Sequence, residues 1–301
     1  MGPIGVSDKV LIFGSTGQLG TDLVGVLQNF GKFEVIPLTH EDADCTDGAA
    51  VRKSVLHFRP QFVINSAAYV RVDDCEDHPS DAFAVNAIGA LNIARACAEG
   101  DACCVYISTD YVFDGEKKTP YVESDTTNPI NVYGTSKLAG ELLVRQTAPR
   151  WLIVRVASLF GKTGARGKGG NFIETILAKA KKGKTLKVVD DIRVSPTYTR
   201  DAAESIVGLL QSGLTRVIHS ANKGSCTWYQ FAKTALDFSA LTVDSIPVPS
   251  TEYPTPARRP KRSALATENL SQSIPDWQDA LRRYLIEKGH IVPTVGQGPL
   301  N

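Results

Sequence analysis

Short apolar runs alternate with amphipathic stretches along the first half of the chain. Lys9–Phe13, Phe33–Leu38, Phe62–Asn65, Cys103–Ile107 and Trp151–Val154 are runs of four to six residues rich in branched and aromatic side chains, the pattern of strands buried on both faces. Between them, Leu19, Leu23, Val26 and Leu27 recur at helical spacing, and so do Val51, Val55 and Phe58. Asp47 or Thr46 is placed to cap the second of these helices. Pro79 opens a long helix through Phe83, Val85, Ile88, Leu91 and Ile93, and Pro129 and Asn131 precede another that carries Tyr133 and Lys137. Strand, helix, strand in strict alternation predicts a doubly wound parallel α/β sheet.

Beyond Arg155 the alternation loosens. Gly161 to Gly170 is rich in Gly and Lys; Asn171 starts a helix with Phe172, Ile176, Leu177 and Ala180, and Leu186–Val189 reads as a strand. Thr227 and Gln230 have capping-box spacing before a helix through Phe231 and Leu236. Val248 to Arg262, with four prolines and four Arg/Lys residues, reads as an ordered or ligand-gated loop. Trp277, Leu281, Tyr284 and Leu285 give a last amphipathic helix that stops near Gly289. The expected organisation is a nucleotide-binding domain over 1–155 and a smaller lobe over 156–290, with segments returning to the first domain. Residues 291–301 are expected to be a mobile tail.

Bulk properties remove several function classes. Thirty-three basic residues balance thirty-two acidic ones for a net charge of +1, so nothing sequence-wide calls for nucleic acid or an anionic membrane as partner. The longest apolar stretches are too short to span a bilayer and the N-terminus lacks the form of a signal peptide; the expectation is cytoplasmic. Six cysteines, Cys45, Cys75, Cys97, Cys103, Cys104 and Cys226, show no CxxC spacing and read as buried free thiols, with Cys103 and Cys104 on opposite strand faces.

The candidate chemistry lies at the ends of the predicted strands. Gly14-Ser15-Thr16-Gly17-Gln18-Leu19-Gly20 follows the first strand directly. Gly14 suits the tight turn, Gly17 lets backbone approach a pyrophosphate, and Gly20 lets helix and strand pack closely. Thr39 stands where dinucleotide folds often place an acidic residue, which leaves room for a 2′-phosphate and puts NADPH slightly ahead of NADH. Ser66-Ala67-Ala68-Tyr69 would let a cofactor lie against backbone, and Asp44 could approach an adenine amine. Ser108 and Thr109 arrive at the carboxyl end of the fourth strand, where ligands of open parallel sheets gather. Tyr133 and Lys137, four apart, share a helix face. Bringing a tyrosine from its usual pKa of about 10 to neutrality takes about 4 kcal/mol. One ammonium about 4 Å away supplies a similar amount at an effective dielectric of ~20. Lys137 is therefore expected to tune Tyr133 as an acid, with Thr109 donating a hydrogen bond to a substrate oxygen.

These motifs resemble the extended short-chain dehydrogenase/reductase family with its Rossmann sheet, and within it the branch that reduces dTDP-4-dehydrorhamnose to dTDP-L-rhamnose. The resemblance runs from about residue 9 to 287, and its narrowest stretch is Tyr253-Pro254-Thr255-Pro256-Ala257-Arg258-Arg259-Pro260. It implies Tyr133 as proton donor, Lys137 on the nicotinamide ribose and Thr109 on the sugar oxygen. Cofactor contacts are implied from Gly14, Gly17, Gln18, Leu19, Gly20, Asp44, Cys45, Ala67, Ala68, Tyr69 and Tyr106. Substrate contacts are implied from Asp110, Phe113, Asn171 and Arg258, the last suiting a diphosphate. The implied cofactor is NADPH, the implied partner a nucleotide sugar, and a homodimer stays open. Departures are Ser158, where the family usually has Trp, and Ile192 and Val194, where it usually has Gln and Gly; they leave the exact sugar open. No metal site is expected, Asp22 being at most a remnant of one. A non-catalytic reading also stays open: an NADP-binding regulatory subunit resembling the beta subunit of methionine adenosyltransferase. So does a reductase or epimerase of another nucleotide sugar.

Overall fold

The computed structural model describes residues 8–164, 170–213, 215–268 and 274–292. The chain opens with β1 (Asp8–Phe13), α1 (Gln18–Phe30), β2 (Phe33–Leu38), α2 (Gly48–Phe58) and β3 (Phe62–Asn65). Helices α3 (Val72–Asp77), α4 (Pro79–Phe83) and α5 (Gly89–Glu99) lead to β4 (Cys103–Thr109), and α6 (Val132–Thr147) leads to β5 (Trp151–Val156). The second half contains β6 (Leu159–Phe160), α7 (Phe172–Lys181), β7 (Leu186–Val189), β8 (Arg193–Val194), β9 (Thr197–Tyr198) and α8 (Thr199–Leu210). It ends with β10 (Arg216–His219), β11 (Cys226–Thr227), α9 (Trp228–Phe238), β12 (Ser245–Val248) and α10 (Trp277–Glu287).

Six strands form one parallel Rossmann sheet in the order β10-β5-β4-β3-β1-β2. Alternate side chains of each strand feed two separate cores. Leu11, Phe13, Val63, Cys104, Tyr106 and Ile153 pack under α2 and α5; Val10, Ile12, Ile64, Val105 and Val154 pack under α1 and α8. This two-sided burial is why the strands read as unbroken apolar runs. Cys103 and Cys104 do face opposite cores, and none of the six thiols is in a disulfide, Cys103 alone of them being only partly buried. The second half contributes α8 and β10 to this sheet and builds its own core from α7, α9 and α10 around Phe160, Phe231 and Tyr284.

Local signals account for most boundaries. Asp47 Oδ1 accepts from the Ala49 and Ala50 amides and so caps α2. Thr227 and Gln230 close a full capping box on α9, and Gly289, at φ 72°, follows the end of α10. Two expectations change. The helix opened by Pro79 is interrupted by a π turn over Ala84–Ile88, and the start of the proline-rich segment, Val248, belongs to β12, which pairs in parallel with β7. The tail expected from 291 falls almost wholly outside the described residues, as do residues 165–169 of the Gly/Lys-rich stretch. Among the described residues no helix is long and apolar enough to cross a membrane.

The order of the strands reverses direction between β1 and β3, and the crevice at that switch point is where open α/β sheets bind ligands. Gly14, at φ 73°, turns the chain there; a Cβ on it would stand 2.6 Å from the Ala67 amide. A Cβ on Gly20 would stand 2.1 Å from the Gly14 carbonyl oxygen. Gly20→Ala is therefore expected to lower stability by about 1–3 kcal/mol through overpacking. Gly25→Ala, in the same helix with nothing within 4 Å of the added carbon, should be neutral or stabilising by up to ~1 kcal/mol. Urea denaturation of the two variants beside the parent checks the contrast.

Candidate active site

Helix α6 is brought against the carboxyl end of β4 by two glycines. Asn131 caps the helix, its Oδ1 accepting from the Gly134 amide at 2.8 Å. A Cβ on Gly134 would lie 2.1 Å from the Tyr111 carbonyl oxygen, and one on Gly140 would lie 2.4 Å from the Asn86 carbonyl oxygen and the Tyr106 hydroxyl. Larger residues would hold the helix off the strand. At this separation the Thr109 hydroxyl, which donates to Asp110 Oδ1 at 3.1 Å, is close enough to the Tyr133 phenol to lower its pKa. The Tyr111 ring meets the Tyr133 ring edge-on at 5.8 Å. One turn along, Lys137 Nζ donates to the Ile107 carbonyl at 2.6 Å and lies 4.1 Å from the centre of the Tyr106 ring.

The electrostatics differ from the expectation that Lys137 lowers the Tyr133 pKa. Burial pushes the phenol up, the nearby Thr109 hydroxyl opposes that, and Asp110 and Tyr111 add to the rise; Lys137 is not among the groups acting most strongly on it. Burial also pushes the Lys137 amine down to about 7, against the opposing pull of Glu141 and Cys45. Helix spacing places both groups on one face, but the desolvation of each outweighs their attraction. The Tyr133 phenol is thus protonated over the neutral range.

The glycine turn presents a surface suited to a dinucleotide. The N-terminus of α1 has no side-chain cap and no acidic residue in its first turn, which leaves its amides and positive dipole end to an anion. Gln18 reaches across to the Leu159 carbonyl at 3.4 Å, and Leu19 is buried, so only its backbone can face a ligand. At the end of β2, Thr39 is engaged by Asp42 through both its amide and hydroxyl, each at 2.8 Å. Asp44 accepts from the Thr46 amide at 2.8 Å, and Cys45 is buried against Gly89. Ala67 donates its amide to Asn65 at 3.2 Å, while Ala68 and Tyr69 are partly exposed on the same edge. Tyr106 is a correction: it is wholly buried, its hydroxyl donating to the Asn86 carbonyl at 2.8 Å, and it supports Lys137 from behind.

Two candidate substrate residues are also drawn inward. Phe113 is fully buried, stacked on Tyr121 at 4.2 Å and edge-on to His219 at 5.8 Å, because its apolar ring completes the small core beneath the site. Asn171 is used as the cap of α7, accepting from the Ile173 amide at 2.9 Å and donating to the Tyr284 hydroxyl at 3.1 Å. Asp110 is buried beside Thr109, whose hydroxyl lies 3.1 Å from its Oδ1. Arg258, by contrast, lines a cleft of about 1020 Å³ together with Arg71, Tyr111, Ile192, Trp228 and Tyr253. The cleft meets the Thr109/Tyr133 pair only through Tyr111.

Several residues that organise this region carry no local sequence signal. Asn86, in the π turn, accepts from the Tyr69 amide at 2.9 Å and donates to Ser136 at 2.9 Å, joining the cofactor edge to α6. Asp73 accepts from the Ala257 amide at 3.2 Å and from Arg259 at 2.7 Å, and Asn131 donates to the Arg258 carbonyl at 2.8 Å. The proline-arginine loop is thereby tied to α3 and to the cap of α6. Among the described residues no group of three or more His, Cys, Asp or Glu is arranged to hold a metal. Asp22 is hydrogen-bonded to Thr199.

Residues 8–289 match the family described as RmlD substrate binding domain. A dTDP-4-dehydrorhamnose reductase of Escherichia coli is 35% identical over 298 residues, covering 93% of this chain and 97% of that protein. The chain belongs to the dTDP-4-dehydrorhamnose reductase family, whose members are NAD(P)H-dependent oxidoreductases. The spore coat polysaccharide biosynthesis protein SpsK of Bacillus subtilis is 39% identical over 283 residues, covering 93% of this chain and 98% of its own. The dTDP-4-dehydrorhamnose reductase of Bacillus anthracis, solved in complex with NADP, superposes with a TM-score of 0.88 at 36% identity, covering 93% of this chain and 99% of that one. Family membership gives the departures a location. Ile192 lines the cleft, Val194 is buried in β8 behind it, and Ser158 takes a left-handed backbone at φ 42° with its carbonyl accepting from the Thr197 amide at 3.3 Å.

The depressed Lys137 pKa has a consequence for stability. Below about pH 7 the amine is charged in both folded and unfolded chains, and folding bears the full penalty of burying it. As pH rises from about 7 toward the unfolded value of about 10.4 the unfolded chain holds more protons, so this group's contribution to stability increases, by roughly 3–5 kcal/mol in all. Lys137→Met should remove that rise. Denaturant midpoints between pH 6 and pH 10 for the two proteins measure it.

Proposed function

We propose that the protein reduces the keto group of a 4-keto-6-deoxyhexose carried on a nucleoside diphosphate, dTDP-4-dehydrorhamnose in the first instance, with NADPH as reductant. The observation that carries this reading is Thr109, Tyr133 and Lys137 meeting at the end of β4, beside the open amides of α1. The cradle fits the cofactor: uncapped amides for a pyrophosphate, a glycine turn that a Cβ would fill, and the small residues Ala67 and Ala68 alongside. The relatives named above and the NADP held by the Bacillus anthracis enzyme favour NADPH.

The cofactor supplies the hydride. The chain supplies orientation and the proton. Thr109 and Tyr133 bring their hydroxyls together at the end of β4, so a ketone oxygen placed between them receives two donors as negative charge develops on it. Tyr133 then gives up its proton, and its high pKa makes it a donor that is fully loaded at neutral pH. Lys137 lies one turn below, where a positive charge would stabilise the resulting phenolate and hold ribose hydroxyls. Arg258 and Arg71 at the cleft suit the diphosphate as planar forks of donors, and Trp228 and Tyr253 offer ring faces to a nucleobase.

Tyr133→Phe is expected to keep NADPH binding within about threefold and to lose 10²- to 10⁴-fold in turnover, roughly what a positioned proton donor contributes. Fluorescence titration with NADPH and the rate of its oxidation on adding a 4-keto nucleotide sugar separate the two effects. Arg258→Ala should raise KM for the sugar nucleotide about tenfold with little change in kcat, as expected for a contact made equally in ground and transition states. A parent protein that oxidises no NADPH with any keto sugar nucleotide would return the weight to the non-catalytic reading.

A further inference from the structure

Two consecutive residues of β4 are hydrogen-bonded to α6 and the next one faces it. Ile107 accepts from Lys137 at 2.6 Å, the Ser108 hydroxyl donates to Glu141, and Thr109 comes near Tyr133. Glu141 lies one helical turn beyond Lys137, and both are only 2% exposed. Its carboxylate is gripped from the other side by Arg155 of β5, Nε on Oε1 at 2.9 Å and a terminal nitrogen on Oε2 at 2.7 Å. Arg155 is fixed in turn, packed 5.2 Å from the Phe113 ring centre with its remaining nitrogen 3.4 Å from His219 Nε2. His219 Nδ1 faces the Ala266 carbonyl at 2.8 Å and the Tyr121 carbonyl at 3.2 Å, so Nδ1 carries the proton and Nε2 accepts from Arg155.

A buried ion pair fully satisfied on both partners is weak evidence for stability, because hydrophobic residues of similar volume often do as well. Its placement is the informative part. We propose that Glu141, clamped by Ser108 and Arg155, is a positioning residue for the reaction: it registers α6 on β4 so that Tyr133 meets Thr109, and its carboxylate biases the buried Lys137 amine toward its charged form. This rests on the function proposed above for Tyr133 and Lys137. The groups facing Lys137 are few. Glu141 shares its helix, Tyr106 comes from β4 and Cys45 from the segment after β2. Among these Glu141 is the carboxylate, and Arg155 lies behind it rather than beside the amine.

The test uses two variants of the full chain, each confirmed folded by circular dichroism. Glu141→Gln keeps the shape and removes the charge; Ser108→Ala removes the clip and leaves the ion pair. Lys137 is followed by NMR of ¹³Cε-labelled lysine, with its signal assigned through Lys137→Met, in the parent and in both variants with and without NADPH. In Glu141→Gln the amine should titrate at a pH about 1 lower than in the parent, as a nearby carboxylate is worth on that order. In Ser108→Ala it should titrate as in the parent. Turnover should fall about 10- to 100-fold in Glu141→Gln, the scale of a misplaced reacting group, and severalfold in Ser108→Ala, with KM for the sugar nucleotide within about twofold in each. A Lys137 titration unmoved by Glu141→Gln overturns the proposal, as does parent-like turnover in both folded variants. Should Glu141→Gln fail to fold, a parent-like turnover in Ser108→Ala overturns it alone. If the parent reduces no keto sugar, the assigned function fails while the lysine titration still decides the role of Glu141.

Discussion

Everything at the site depends on how closely α6 approaches the end of β4. A helix packed on a sheet normally stands off by the thickness of two side-chain layers, yet here Gly134 and Gly140 present bare backbone to Tyr111 and Asn86. That contact sets the reach of Tyr133 to Thr109 and of Lys137 to the Ile107 carbonyl. It also sets the electrostatics. So little space is left between helix and strand that both functional groups are desolvated, and each is driven toward its neutral form, the phenol upward and the amine downward. A phenol that stays protonated at neutral pH follows directly from burial.

The rest of the molecule divides between holding this contact and bringing a substrate to it. The parallel sheet, with cores on both faces, supplies a rigid edge, and strand order puts the glycine turn of β1 beside the end of β3, one strand from the end of β4. The second half returns α8 and β10 to that sheet and sends out the proline-arginine loop, whose ties to Asp73 and Asn131 fix it over the cap of α6. The helix that carries the chemistry is thus anchored at its start by the same loop that walls the cleft. The cleft and the reacting pair meet at Tyr111, which packs on Tyr133.

What could be read from the chain alone follows physical range. Features set by neighbours in sequence were legible: the glycine turn, the two-faced strands, the caps at Asp47 and Thr227, and the helical pairing of Tyr133 with Lys137. Features set by distant contacts were not. Nothing local shows that Asn86 would sit in a π turn and bridge Tyr69 to Ser136, or that Arg155 would meet Glu141. Phe113 illustrates the same limit from the other side. It stands in a motif near the chemistry, but its ring is needed by a core. Spacing likewise puts Lys137 and Tyr133 on one helix face and says nothing about the desolvation that drives both toward their neutral forms.

The most direct test of the central claim is to follow an isotope. NADPH carrying deuterium at the transferable position of its nicotinamide is incubated with the protein and dTDP-4-dehydrorhamnose, and the sugar is examined by NMR. The account predicts deuterium bound at C4 of a product bearing a new hydroxyl there, formed by the parent and at most in trace by Tyr133→Phe. A sugar recovered unreduced, or reduced equally well by the Tyr133→Phe protein, would contradict it.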